Sequence, residues 1–120
     1  MMISIGDILH IISEIHQYSI ILLEMRNGII YLISRGENDK PRYSRFEGDL
    51  QPREKHKLLR EARMGELTAF QQLSVEDFLR QIEGGKTRHI WLETSGAEPK
   101  EHVFLTIAEL KAFFKSHSHR

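Results

Sequence analysis

The residues that could do chemistry in this chain are seven histidines, a few carboxylates and a basic stretch near its middle. A zinc site needs three or four ligands that converge on one point. No histidine spacing supplies such a set, because His10 and His16 are not four apart and His117 and His119 lie at the end of the sequence. The chain has no cysteine, which excludes disulfides, thiolate ligands and a cysteine nucleophile. We therefore predict no metal site and no cofactor.

Catalytic motifs are equally scarce in the sequence. It contains no nucleophile elbow, no phosphate-binding glycine loop and no His-Glu-x-x-His motif. Two pairs, Glu24 with Tyr31 and Glu93 with His102, could act as general acid and base if a pocket enclosed them. Nothing in the sequence indicates such a pocket. We therefore assign no catalytic residue and expect the protein not to be an enzyme.

The basic stretch runs from Arg35 to Arg63 and holds nine basic residues against six acidic ones. Its cations interleave with two aromatic residues, a pattern that can hold phosphates and stack bases. The alternative is an ordinary solvated helix face, because Glu54 and Glu61 can pair with Lys57 at helical spacing. The candidate anion or nucleic-acid site consists of Arg42, Arg45, Arg53, Lys57 and Arg60.

The overall composition is that of a globular domain. With 120 residues the chain can bury roughly 65% of the surface that it exposes when unfolded. Polar residues such as Asp7 and Glu14 interrupt the apolar N-terminus, which excludes a membrane-spanning helix there. Seventeen basic residues balance seventeen acidic ones, so no overall field attracts nucleic acid or lipid, and little repulsion opposes self-association. We predict a cytoplasmic protein that does not contact a membrane.

Three segments have the sequence signature of a helix start. Ser4, Ser74 and Thr106 each precede a carboxylate by three residues, which is the spacing of a capping box or its Asp variant. Apolar residues follow each of them at helical spacing, and Gly84-Gly85 ends the second segment. A fourth, weaker helix is predicted from Arg53 to Arg63.

Strand signals come in two pairs. Tyr18 to Arg35 is an apolar hairpin around Asn27-Gly28, the dipeptide that favours a two-residue type I′ turn. The second pair is Thr87 to Thr94 and His102 to Leu105, joined by turn-forming residues.

The element order, α-β-β-(α)-α-β-β-α, predicts one α+β domain that spans residues 1–120. It would have about four antiparallel strands in two hairpins, with three to four helices packed on the sheet. Residues 36–51 have no periodicity and are predicted to be an irregular loop. Residues 115–120 are predicted to be a disordered tail.

The first hairpin carries more apolar residues than one buried face requires. With a two-residue turn, positions that sum to 55 face each other, so Ile21 and Leu23 share a face with Leu32. The opposite face is also apolar, and either a helix of the same chain or another chain must cover it. The residues of this candidate interface are Ile20, Leu22, Ile29, Tyr31 and Ile33.

The sequence does not identify a ligand. The double-sided hairpin, the balanced charge and the lack of catalytic motifs favour a protein that acts through protein–protein contact, as an adaptor, inhibitor or regulatory subunit, and that self-associates as a homodimer. The alternative is a nucleic-acid-associated regulator that uses the basic 42–63 region. Trp91, on the second hairpin, is either a core residue or an interface anchor.

Overall fold

The computed structural model describes residues 2–14, 18–35, 40–47, 70–94 and 100–117, together with four residues of the 54–60 segment. The elements, in chain order, are α1 (Ile5–Glu14), β1 (Tyr18–Met25), β2 (Ile29–Arg35), β3 (Pro41–Glu47), β4 (Gln71–Leu73), α2 (Val75–Ile82), β5 (Thr87–Thr94), β6 (Glu101–Phe104) and α3 (Ile107–His117). The α+β class is the predicted one.

The six strands form one antiparallel sheet in the order β4-β3-β2-β1-β5-β6. β1 pairs with both β2 and β5, so the two predicted hairpins join side by side into a continuous sheet. The prediction of about four strands was too low, because β3 and β4 were not recognised.

β3 lies inside the segment that was predicted to be an irregular loop. It pairs along its whole length with β2, from Arg35 opposite Pro41 to Ile29 opposite Glu47. Proline is tolerated at the first residue of a strand, where it interrupts no ladder. The loop prediction is therefore wrong for residues 41–47. Their pairing with an apolar neighbouring strand, which local sequence does not show, makes this polar segment a strand.

The predicted fourth helix is described at four positions only. Glu54, Lys57, Leu58 and Arg60 have helical backbone, whereas Arg53 lies outside the described residues. At the C-terminus, α3 continues to His117, so the disordered-tail prediction is wrong for residues 115–117. Residues 118–120, 36–39 and 48–51 also lie outside the described residues.

All three predicted helix starts are confirmed. In each, the hydroxyl oxygen accepts a hydrogen bond of 3.1 Å from the backbone N–H three residues on; the pairs are Ser4–Asp7, Ser74–Asp77 and Thr106–Glu109. These bonds satisfy N–H groups that the first turn of a helix leaves without a partner. Gly84 follows the end of α2 with φ at +78°, which confirms the predicted stop.

The β1–β2 hairpin has a longer turn than the sequence predicted. Leu22 lies opposite Leu32, so paired positions sum to 54 instead of 55. The loop therefore has three residues, Arg26 to Gly28, and the Gly28 N–H donates to the Met25 carbonyl at 3.2 Å. Gly28 has φ at +89°, the left-handed conformation that glycine supplies in three-residue hairpin loops.

This one-residue shift moves every side chain of β2 to the other face of the sheet. Ile20 and Leu22 now share a face with Ile30 and Leu32, whereas the side chains of Tyr31 and Ile33 lie on the opposite face. The sequence predicted that five residues form one interface surface, but the sheet divides them between its two faces. These residues are Ile20, Leu22, Ile29, Tyr31 and Ile33.

The first face of the sheet, which carries Ile21 and Leu23, packs against all three helices. Each helix contributes two side chains with no exposed surface: Ile8 and Ile11 from α1, Phe78 and Ile82 from α2, Leu110 and Phe114 from α3.

The second face of the sheet, which carries Leu22 and Leu32, is also covered within the chain. Phe70 belongs to its buried cluster, and Leu58, one of the residues with helical backbone, packs against it. The central side chains of this face are at most 1% exposed: Ile20, Leu22, Ile30 and Leu32. The sequence left open whether the same chain or another chain covers this face, and in the structure the same chain covers it.

The turn can be tested with two glycine substitutions. We expect Gly28→Ala to lower the free energy of unfolding by about 1–2 kcal/mol, because an L-residue pays that cost in the left-handed conformation. An added Cβ at Gly28 meets no atom within 4 Å, so the cost is conformational. In the control, Gly6→Ala in α1, the added Cβ lies 3.8 Å from Ser4 Oγ. We expect alanine at position 6 to raise the free energy of unfolding by up to about 1 kcal/mol. Urea denaturation measures the free energy of unfolding of both variants, and equal changes would contradict the left-handed conformation of Gly28 in the turn.

Candidate functional site

The structure divides two of the predicted basic residues between the two faces of the sheet. Arg42 and Arg45 lie three positions apart on β3, so their side chains start on opposite faces of the sheet. The Arg45 guanidinium is 3.1 Å from the Glu47 carboxylate, which compensates its charge. Lys57 and Arg60 are exposed at helical positions. Arg42 and Arg45 therefore do not belong to one surface, and Arg53 lies outside the described residues.

Neither of the two acid–base pairs considered from the sequence forms. The register places Glu24 and Tyr31 on opposite faces of the sheet, and it does the same for Glu93 and His102. The strand assignment was correct for both pairs; the predicted register was wrong for Glu24 and Tyr31, and no register was predicted for Glu93 and His102.

Glu24 instead contacts a histidine from the other neighbouring strand. It lies opposite His89 in the β1–β5 pair, with its Oε1 3.0 Å from His89 Nδ1 and its Oε2 4.0 Å from Arg88 Nη1. Glu24 is only 7% exposed, and a buried carboxylate requires hydrogen-bonding or charged partners. The contact joins positions 65 apart in sequence, so no local pattern could have indicated it.

Two of the large apolar side chains that are exposed in the described part of the chain lie on or directly after β6; the others are Met2, Leu9 and Val75. Val103 is 48% exposed on β6, and Leu105, which directly follows β6, is 59% exposed. Val103 lies opposite Trp91, a half-buried residue at the margin of the second face. We call Trp91, Val103 and Leu105, together with the backbone of β6, the β6 surface.

β6 is also an edge of the sheet. One side of it pairs with β5, and within the described part of the chain no strand pairs with its other side. An edge strand presents backbone N–H and C=O groups that can pair with a further strand. The β6 surface therefore combines backbone hydrogen-bonding groups with exposed apolar side chains, which suits strand addition.

Of this surface, the sequence singled out Trp91 alone, as either a core residue or an interface anchor. The residues from His102 to Leu105 read as a short strand in which three apolar residues follow the histidine, and nothing local shows which of them the helices cover. The tertiary structure buries one side, where Phe104 contacts the Phe113 ring of α3 at a centroid distance of 5.4 Å. Val103, on the other side, stays exposed.

Comparisons with known proteins identify no relative, because no protein-family model, no curated protein and no solved structure matches this chain. Among the described helices, none has the length and apolar character that crossing a membrane requires.

Proposed function

We propose that the protein acts through protein–protein contact and that the β6 surface is its contact site. The observation that carries the proposal is the exposure of Val103 and Leu105 beside an edge strand that has no partner among the described strands. Natural proteins usually protect sheet edges with charge, proline or a covering element, and exposed apolar edges associate. Trp91 borders this surface and is a residue type favoured at the centre of interfaces.

The proposed occupant is a second copy of the chain. The formal net charge is zero, so two copies meet without overall repulsion. If two β6 strands pair antiparallel with Val103 opposite Val103, Glu101 lies opposite Leu105 and does not meet a second carboxylate. Like charges directly opposite each other would weaken such a pair. The sequence of β6 is therefore compatible with pairing to itself.

The contact should be weak. Complete burial of a valine or leucine side chain is worth roughly 1.5–3 kcal/mol. Val103 and Leu105 are already about half buried, so each would add about 1 kcal/mol. A four-residue edge is also small beside a standard interface, which buries about 800 Å² per partner. We therefore expect a dissociation constant in the micromolar range.

Val103→Glu is expected to abolish self-association, because it places a charge on the paired edge beside Glu101. Val103 is 48% exposed, so the free energy of unfolding should change by no more than about 0.5 kcal/mol. The matched control is Val75→Glu, at an exposed position at the start of α2. Sedimentation velocity from low to high micromolar concentration provides the measurement. A wild-type protein that stays monomeric throughout, or an equal effect of Val75→Glu, would contradict the proposal.

Nucleic-acid binding through the basic 42–63 region is the alternative function. It has less support, because Arg42 and Arg45 start on opposite faces of the sheet. It requires a complex whose affinity falls steeply with salt, since phosphate contacts release counterions. A gel shift with DNA or RNA at low salt would favour this alternative, and the absence of any shift would exclude it.

A further inference from the structure

A second feature of the molecule is a pocket at the end of the sheet that carries the β1–β2 loop. Its volume is about 190 Å³, the space of roughly six water molecules at about 30 Å³ each. The loop, the start of β5 and the first turns of α1 and α3 all contribute to its wall. Met2 and Leu105 form apolar parts of the rim and are 65% and 59% exposed. The pocket is large enough for a small anionic group with a few attached carbon atoms.

The charges on the wall are mainly positive. Three cations reach it from three different elements: Arg26 from the β1–β2 loop, Lys86 from the residue before β5, and Lys111 from α3. Among the described residues that line the pocket, Asp7 is the one carboxylate. Three positive charges and one negative charge leave a formal charge of +2 on the wall.

Asp7 neutralises one of these cations. Its Oδ1 is 3.0 Å from Lys111 Nζ. Burial acts to raise the pKa of Asp7, but the hydrogen bonds from Lys111 and Ser4 together outweigh it and hold the pKa below the ordinary value. Asp7 is therefore ionised at neutral pH. Arg26 and Lys86 remain as the cations that no carboxylate on the wall balances.

The wall is held together by contacts between its segments. The Arg26 backbone N–H donates to the Lys86 carbonyl at 2.9 Å, and Arg26 Nε donates to the Thr87 carbonyl at 3.4 Å. Thr87 Oγ1 in turn donates to the Leu105 carbonyl at 3.5 Å. A guanidinium has five N–H donors, and the Thr87 bond uses one of them. These contacts fix the loop, β5 and the end of β6 relative to one another, so the pocket is already formed.

The start of α3 adds to the attraction for an anion. Ile107 and Ala108, in the first turn of α3, lie on the wall, and the positive end of the helix dipole points toward this turn. Glu109 partly offsets it, because its Oε1 accepts hydrogen bonds from the backbone N–H groups of Leu105 and Thr106. The side-chain cations are therefore the main source of positive potential in the pocket.

We infer that this pocket binds a phosphate dianion, either free or as the end group of a small monoester. A phosphomonoester carries a charge between about −1.5 and −2 at pH 7, which matches the +2 of the wall. A carboxylate carries half of that charge and would leave one cation uncompensated. The volume admits the phosphate and a short apolar body against Met2 and Leu105. This site is separate from the proposed protein–protein contact except at Leu105.

The inference is tested with three probes: inorganic phosphate, phenyl phosphate and benzoate. Titration followed by amide NMR should show saturable shifts for Lys86, Thr87, Ile107 and Ala108 with the phosphate probes, and benzoate should bind at least tenfold more weakly. Tighter binding of phenyl phosphate than of inorganic phosphate assigns a monoester, and the reverse order assigns free phosphate. The absence of saturable shifts with both phosphate probes, or equal affinity for benzoate and phenyl phosphate, would overturn the inference.

Matched charge variants connect the binding to the pocket. We expect Lys86→Gln to weaken binding about tenfold, and Arg26→Gln to do the same as an independent second variant. The control is Lys100→Gln, which removes the same charge at the opposite end of β6, where Lys100 bonds to Thr94. The affinity of this control should stay within twofold of the wild type. An equal loss in Lys100→Gln would show that overall charge, and not the pocket, is responsible and would overturn the inference.

Discussion

Leu22→Glu is expected to unfold the protein. Leu22 has no exposed surface and lies at the centre of the second face, opposite Leu32 on β2 and Trp91 on β5. An unpaired charge in such a position costs several kcal/mol even after the surroundings relax. A domain of this size has about 5–15 kcal/mol of stability in total, and the substitution also removes the packing of a buried leucine. The two losses together approach that total.

Far-ultraviolet circular dichroism and urea denaturation should therefore show a largely unfolded chain. Leu22→Met is the control, because an exchange between apolar residues of similar volume costs less than about 1.5 kcal/mol. A folded Leu22→Glu protein whose only defect is a change in oligomeric state would contradict burial within the chain. It would mean that another chain covers the second face. Leu22→Glu tests the core of the sheet through stability, whereas Val103→Glu tests the proposed contact edge through self-association.

Phe78→Ala has the second-largest expected effect, a loss of about 3–5 kcal/mol in the free energy of unfolding. Phe78 is fully buried between α2 and the sheet. Its ring stacks on Tyr43 of β3 at a centroid distance of 4.8 Å and meets Tyr31 of β2 edge-on at 5.7 Å. The alanine variant loses the buried ring and both aromatic contacts, which add to simple burial.

Urea denaturation followed by the fluorescence of Trp91, the only tryptophan in the sequence, measures this loss. Val75→Ala, at an exposed position of the same helix, should change stability by no more than about 0.5 kcal/mol. Burial raises the pKa of Tyr43, so removal of the Phe78 ring should also move that pKa back toward its ordinary value. A loss below about 1 kcal/mol would show that α2 does not pack on β2 and β3 as described.

The features that the sequence predicted correctly depend on neighbours within a few residues. The capping hydroxyls of Ser4, Ser74 and Thr106 act over three positions, and the stop at Gly84 acts within one turn. The apolar runs of β1, β2 and β5 identify themselves as strands by composition alone. For these elements local chemistry was sufficient.

Apart from the predicted tail at residues 115–117, the errors concern pairing between segments. A two-residue and a three-residue turn are both compatible with Arg26, Asn27 and Gly28, yet they place the side chains of β2 on opposite faces of the sheet. β3 is a strand because β2 lies beside it, not because Pro41–Glu47 alternates in hydrophobicity. An error of one residue in the β1–β2 register placed Tyr31, instead of Ile30, opposite Glu24, and the pairing of β1 with β5, which brings His89 to Glu24, was not predicted.

The sequence by itself determined the α+β class, the helix starts, the central strands and the absence of cysteine chemistry, because each depends on composition or on contacts within one turn. Only the tertiary structure decided which face each β2 residue occupies, what covers Leu22, and why Val103 remains exposed. It also brought Arg26, Lys86 and Lys111 around one pocket. The physical reason is that register and sheet order join residues far apart in sequence, and many alternative pairings satisfy the same local pattern.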